Sequence, residues 1–299
     1  MTTTVDERVE RLSAVSVERL FDPDKGLPGN VGEGQIIPDE LLSVAGLDLD
    51  LSADDRVRLS REELASILDA GIRFESALTA GFSMQIVAAG RLTDPRVTYM
   101  LHELGEETRH SRLFIRMLDQ ISPQARSPWR RQPVKGFIHF FIPLSMTMPS
   151  FFCVLVLAGE EIPDLLQKLA SEHPLTDPFV REMNRYHRRE EARHLAFAKL
   201  TLPELWERSG FIERFAVRHI APLAVAAMFN GMVHPGVYPQ VGLPAWKTWL
   251  AANRSIRRRE LREQALRPIL EALKAGGAFP KGRVSRAWAR VTGTKRRFR

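Results

Sequence analysis

The sequence has little cysteine and few strand patterns, and it lacks any nucleotide-binding fingerprint. Cys153 is the single cysteine among 299 residues, so an intrachain disulfide and a cysteine-based zinc site are excluded. Alternating apolar and polar runs are nearly absent, and no Gly-x-Gly-x-x-Gly motif for a flavin or nicotinamide is present. The N-terminal residues show no basic stretch followed by an apolar one, so no signal peptide is expected. These absences favour an all-α, cytoplasmic protein.

Charge is distributed unevenly along the chain. The net charge is +7, yet residues 254–299 alone carry 15 Lys and Arg against three Glu, so the preceding part is mildly acidic. We predict three regions: an N-terminal arm over 1–55, a main domain over 56–278 and a basic tail over 279–299. The tail is either a solvated helix face with a frayed end or a contact for nucleic acid or another anionic surface.

One apolar segment is long enough to cross a bilayer. Between Lys135 and Glu160 no residue carries a formal charge, apart from a possible charge on His139. Pro143, Pro149 and several hydroxyl groups interrupt the segment. We therefore expect a buried helix of a bundle, and a protein that is not transmembrane.

Apolar residues at spacings of three and four predict four long helices. A capping box, Ser60-Arg-Glu-Glu63, is expected to begin the first helix, and Asp-Pro pairs are expected to begin the second and the fourth. The predicted helices cover residues 60–89, 95–122, 149–171 and 178–200, with an irregular stretch at 124–142. Further helices are expected near 204–230 and 244–275. Long helices with modest loops predict a ferritin-like four-helix bundle with additional C-terminal helices.

An internal repeat places carboxylates and imidazoles together. The string Glu106-Glu-Thr-Arg-His110 recurs as Glu190-Glu-Ala-Arg-His194, with an offset of 84 residues. Each half therefore contains Glu-x-x-His, whose two side chains share one helix face. Glu75 on the first helix corresponds to position 159 or 160, where the sequence reads Gly-Glu-Glu. Helical periodicity favours Glu161 and the repeat offset favours Glu160, which we adopt.

Two cations would compensate the buried carboxylates of such a bundle. One Glu from each of two helices and a Glu-x-x-His from each of the other two form a dinuclear carboxylate site, and burying four uncompensated carboxylates would be prohibitive. His187, one turn before Glu191, is a further candidate ligand, or else an exposed histidine; its counterpart in the first half is Glu103. The predicted metal ligands are Glu75, Glu107, His110, Glu160, His187, Glu191 and His194. The residues expected to surround them are Glu103, Glu106, Glu190, Arg109 and Arg193.

We assign Glu106 and Glu190 to orienting the metal-bound imidazoles, each reaching across to the other half. The alternative is a pair of Arg–Glu contacts at the surface. Oxygen-rich coordination favours iron or manganese over structural zinc.

The string His187-x-x-x-Glu191-x-x-His194 resembles the p-aminobenzoate N-oxygenase (AurF-like) diiron oxygenases, which use an additional histidine on the fourth helix. The strings that begin at Glu106 and Glu190 are also similar to that family, and the resemblance covers roughly residues 60–250. It implies a cytoplasmic homodimer that binds two Fe ions, activates O2 and oxygenates a small organic substrate, which in the best-known members is an aromatic amine. Electrons would come from a separate reductase or a small reductant.

Two alternatives remain from the sequence. One is a diiron hydroxylase or desaturase of an acyl or lipid substrate. The other is a ferritin-like protein that binds iron without oxygenating a substrate.

Overall fold

The computed structural model describes residues 3–279 and 282–294, and its regular structure within these ranges is helical. The all-α prediction is confirmed. A 3-10 turn also forms at Asp39–Leu41, at Pro128–Arg130 and at Pro235–Val241, and a π-helical turn at Ala216–Ile220. The α-helices are α1 Val5–Glu18, α2 Pro23–Gly26, α3 Ala53–Val87, α4 Pro95–Ile121, α5 Val134–Met146, α6 Pro149–Glu172, α7 Pro178–Arg208, α8 Phe211–Phe215, α9 Ala221–Gly231, α10 Ala245–Arg254, α11 Ile256–Ala275 and α12 Arg286–Val291.

The four long helices α3, α4, α6 and α7 form the bundle, with α3 packed on α4 and α6 packed on α7. Asp94 and Asp177 cap α4 and α7 through their side chains, and each is followed by a proline, as predicted. Helix α1 packs against α4 and α7, and α11 packs against α6 and α7. The centre of the bundle is thereby covered by elements from both ends of the chain.

The predicted start of the first helix is wrong. Helix α3 begins at Ala53, where Ser52 and Asp55 form the capping box. Ser60 instead lies buried inside the helix, where its hydroxyl accepts from the Ile36 N–H and donates to the Val57 carbonyl. Burial against the N-terminal segment therefore replaces the capping role that the local motif suggested.

Two other expectations about helix bounds are wrong. Helix α7 continues through Pro203 to Arg208, because the loss of one backbone hydrogen bond is offset by burial of Leu202 and Trp206 in the core. The stretch 124–142, expected to be irregular, contains most of α5. Much of this apolar helix is exposed, including Phe137 and Phe140.

The segment between Lys135 and Glu160 is divided between α5 and α6, so it is not one buried helix. The two helices pass a length and hydropathy test for a membrane span only as a pair, and they are bent by 119°. Within the described residues, Phe211–Val241 also passes the test, and half of its most apolar window is buried inside the protein. Buried core helices commonly meet the same criteria, so this is weak evidence for a membrane span.

The C-terminal helices are anchored by a tryptophan. Trp288 of α12 is fully buried, and its indole N–H donates to the carbonyl of Val217 at 2.9 Å. Part of the basic segment therefore packs on the π-helical turn. The remaining basic residues, at 281 and from 295 onward, lie outside the described residues.

Two glycines allow α3 and α6 to approach each other. A Cβ atom on Gly159 would lie 1.7 Å from the ring of Phe74, and one on Gly81 would lie 2.1 Å from the ring of Phe152. Each helix thus inserts a phenylalanine at a glycine of the other. This close approach occurs beside Glu75 and Glu160, which follow Phe74 and Gly159 directly.

Candidate metal centre

The bundle brings the seven predicted metal ligands together at its centre. Helices α3 and α6 contribute one glutamate each, and α4 and α7 contribute the remaining five side chains. All seven are buried, with the most exposed at 4%. Their donor atoms form two groups, and within each group the atoms lie within 4.8 Å of one another. The first group is Glu75, His110 and His187; the second is Glu107, Glu160, Glu191 and His194.

Several of the candidate metal-binding atoms in these groups have no hydrogen-bond partner among the described residues. Both carboxylate oxygens of Glu107, one oxygen each of Glu160 and Glu191, and Nδ1 of His110 are buried without a hydrogen-bond partner. Burying polar atoms without partners raises the free energy of the folded state, so a cluster of them indicates a bound cation that compensates this cost. Oxygen and imidazole donors at this spacing suit divalent iron or manganese, and these residues therefore fit a dinuclear centre.

Each imidazole of the repeat is oriented from the opposite half of the bundle. His194 Nε2 lies 2.8 Å from a carboxylate oxygen of Glu106, and His110 Nε2 lies 3.0 Å from one of Glu190. Because a carboxylate only accepts, these ring nitrogens are the donors. The Nδ1 atoms are left facing the ligand carboxylates, with His194 Nδ1 3.0 Å from Glu107. This crossed arrangement is the one anticipated from the repeat.

Two arginines hold the orienting carboxylates in the ionised state. Arg193 donates to Glu106 at 2.8 Å, and Arg109 lies 3.8 Å from Glu190. Burial opposes ionisation of Glu106, but His194 and Arg193 outweigh it and hold the pKa of that carboxyl at about 2. These four side chains are at most 14% exposed, so the alternative of Arg–Glu pairs at the surface does not describe them.

His187 is buried inside the bundle, so its interpretation as an exposed residue is wrong. Its Nε2 atom lies 3.4 Å from Glu75 Oε1 and from Glu191 Oε1, and its ring stacks on Phe114. Its Nδ1 atom lies 3.0 Å from the side-chain oxygen of Gln167. The ring is therefore held with Nε2 directed at the ligand carboxylates.

Sequence reasoning missed three residues that contact the site. Gln167 positions His187, Ser111 donates to Glu75 at 2.6 Å, and Tyr186 donates to Glu190 at 3.0 Å. Gln167 lies two turns after Glu160 on the same helix, which is the one signal that could have revealed it. Ser111 and Tyr186 each flank a predicted ligand in the sequence, a position too common to identify them.

The structure separates Glu160 from its neighbour Glu161. Glu160 belongs to the second group of donors, whereas Glu161 forms an ion pair with Lys199. Burial raises the pKa of Glu160 well above its usual range, and the nearby Glu191 adds to this effect. The position of Glu160 agrees with the repeat offset rather than with helical periodicity.

Glu103 is a further buried acid on α4. It is fully buried, and neither of its carboxylate oxygens has a hydrogen-bond partner. Burial raises its pKa to about 8, although the charge of His194 opposes the change. It lies outside both groups of donors.

A small cavity of about 100 Å³ opens between the four bundle helices. Its walls include Met100, Phe152, Cys153, Val156 and Phe197, with polar groups such as Arg96 among the lining residues. Val156 lies one helical turn before Glu160, so the cavity extends toward the level of the donor groups. Most of the surface that lines it is apolar, as expected of a site for a small organic molecule.

Comparison with known proteins agrees with this arrangement. Three uncharacterized proteins, one from Mycobacterium bovis and two from strains of Mycobacterium tuberculosis, are each 28% identical to this chain over 186 residues. The match covers 62% of this chain and 54% of each relative, so the chain spans about half the length of these curated proteins. The model of the p-aminobenzoate N-oxygenase AurF family matches residues 2–277. Since that match includes nearly the whole chain, the protein belongs to the AurF family.

Proposed function

We propose that the protein is a non-haem diiron oxygenase that oxygenates a small organic substrate. N-oxygenation of an aromatic amine is the reaction favoured by family membership. The observation that carries the proposal is the pair of converging donor groups, in which several buried oxygen and nitrogen atoms have no hydrogen-bond partner among the described residues. Four ligand carboxylates carry −4, which two divalent cations neutralise.

The two donor groups would hold one iron ion each, and Glu107 and Glu191 of the second group lie 3.5 Å and 3.2 Å from Nδ1 of His110 in the first. When bound, the iron pair would supply O2 activation, with the electrons for oxygenation coming from an external donor. The protein keeps the imidazoles in place through Glu106 and Glu190, and it excludes water by closing the bundle with apolar side chains.

The cavity that reaches Val156, one helical turn from Glu160, supports a small substrate. A cavity of about 150 Å³ in another protein accommodates benzene, and this one measures about 100 Å³. The cavity is smaller than that, so a single ring is the largest group expected, and it requires side chains to move. Hydroxylation or desaturation of a long acyl chain would need a tunnel of much greater length, so the arene is the preferred substrate class.

External electrons and a second copy of the chain complete the proposal. A separate reductase or small reductant would supply electrons, and a homodimer is the proposed assembly. The large exposed apolar side chains of α5, Phe137 and Phe140, are available for a contact with a second copy.

Metal analysis combined with O2 uptake tests the proposed function. Protein loaded anaerobically with Fe(II) should contain two iron ions per chain, and O2 uptake should depend on an added aromatic amine and a reductant. Glu107→Ala should lose metal and uptake, since it removes a charge from the centre. Glu161→Ala is the matched control and should retain both, because its carboxylate pairs with Lys199.

Two results would contradict the proposal. One is a metal content of one ion or none per chain after reloading. The other is O2 uptake that follows the Fe(II) supplied and ignores every organic substrate, which would indicate a ferritin-like iron-binding protein.

A further inference from the structure

Among the described residues, Glu103 has no partner that explains its burial. It lies on α4, its exposure is 0%, and both carboxylate oxygens lack a hydrogen bond. The arginines of the site contact other groups: Arg193 donates to Glu106, and Arg109 lies beside Glu190. A buried carboxyl group without a hydrogen bond or a counter-charge is strongly unfavourable, and native proteins rarely retain one without a function.

The repeat relates Glu103 to a member of the first donor group. Its counterpart, 84 residues later, is His187, and the same offset relates Glu107 to Glu191. His187 and Glu191 are four residues apart on α7, and their side-chain atoms lie 3.4 Å apart. The same spacing on α4 places Glu103 over Glu107, on the helix face that points to the second donor group. Its carboxylate oxygens lie outside that group in the structure, so ligation requires a change of its side-chain rotamer.

The surroundings of Glu103 agree with this placement. The charges that act on it most strongly, after burial itself, belong to His194, Glu107 and Glu191, which are all members of the second donor group. No lysine or arginine is among its main electrostatic partners. The carboxylate is thus within the electrostatic reach of the second group and lacks a protein cation of its own.

We propose that Glu103 is a metal ligand, binding the ion that Glu107, Glu160, Glu191 and His194 hold. The inference rests on the proposed dinuclear centre and adds one donor to it. The ion at the first donor group would then be bound by His187 from the second half of the repeat. The ion at the second donor group would be bound by Glu103, the equivalent residue of the first half. A fifth carboxylate would bring the total ligand charge to −5, against +4 from two divalent ions.

Cobalt(II) binding tests the inference without measuring turnover. The visible absorption of Co(II) reports its ligands, and the full chain is titrated with Co(II) in the presence of a competing chelator. Glu103→Gln should weaken one of the two Co(II) sites by tenfold or more and change its visible spectrum. Glu63→Gln is the matched control: Glu63 is equally buried but hydrogen-bonded to Ser43, and this variant should keep both affinities and the spectrum.

A second variant keeps the test decisive if Glu103→Gln folds poorly. Glu103→His copies the residue of the other half, so it should bind two Co(II) ions with a spectrum shifted by the new nitrogen donor. An unchanged spectrum and unchanged affinities in Glu103→Gln would overturn the role of Glu103 while leaving the dinuclear centre intact. Failure of the wild-type chain to bind Co(II) or Fe(II) would instead overturn the proposed function.

Discussion

The hydrogen bond between His194 and Glu106 can be altered to test whether orienting an imidazole ligand raises metal affinity. We expect Glu106→Gln to reduce metal affinity by about 10–100-fold, which corresponds to about 1.4–2.7 kcal/mol of binding free energy. The amide oxygen of glutamine can still accept from His194 Nε2, over the distance that is 2.8 Å in the wild type. The negative charge is lost, however, so the imidazole becomes a poorer donor to the metal and less firmly oriented.

The equivalent contact between His110 and Glu190 provides a second variant for comparison. Glu190→Gln changes the equivalent contact to His110, 3.0 Å long, and should reduce affinity by a similar factor. Metal affinity would be measured by anaerobic titration of Mn(II) or Fe(II) against a chelator, using protein shown to be folded by circular dichroism. The metal-free form of Glu106→Gln should also unfold more easily, because Arg193 loses its 2.8 Å partner.

Separating these two effects decides whether the reasoning is correct. If Glu106→Gln binds metal within twofold of the wild type and only its thermal stability falls, then Glu106 serves the fold and does not orient His194 for binding. A loss confined to Glu106→Gln, with Glu190→Gln unaffected, would show that the two halves do not act alike.

Three further predictions concern individual side chains. Glu160→Ala should lose metal whereas Glu161→Ala should retain it, as elemental analysis of the two purified variants would show. His187→Ala should keep its metal, because all four ligand carboxylates remain, but oxygenation should be severely impaired; wild-type turnover would contradict this. Burial lowers the pKa of His234 to about 4, so the folded chain resists a proton that the unfolded chain accepts near pH 6.5. Stability should therefore fall by about 2 kcal/mol between pH 7.5 and pH 5, and denaturant titrations should find a smaller fall in His234→Asn, which retains an acceptor for the Gly236 N–H.

The donor set was accessible from the sequence because helical spacing is local and regular. Two Glu-x-x-His motifs at an offset of 84 residues must each present a carboxylate and an imidazole on one face. The crossed contacts of Glu106 and Glu190 followed from the same repeat. These features depend on positions along a helix, which a sequence specifies directly.

Other features depend on tertiary contacts that local patterns do not contain. Ser52 and Ser60 each begin a capping motif of similar chemistry, and only the burial of Ser60 against Ile36 distinguishes them. Gln167 is a neutral amide with no motif, and it becomes significant because α6 places it at His187. Pro203 marks a helix end by local rules, but burial of its neighbours carries α7 past it.

The two phenylalanine–glycine contacts between α3 and α6 also determine how these helices are aligned. Phe74 precedes Gly81 by seven residues, and Phe152 precedes Gly159 by the same number, so both rings meet their gaps in a single antiparallel alignment. Sliding one helix by a turn would drive both rings against side chains at once. The two contacts thus act as a register lock, which holds Glu75 and Glu160 at one depth in the bundle whether or not any ligand is bound.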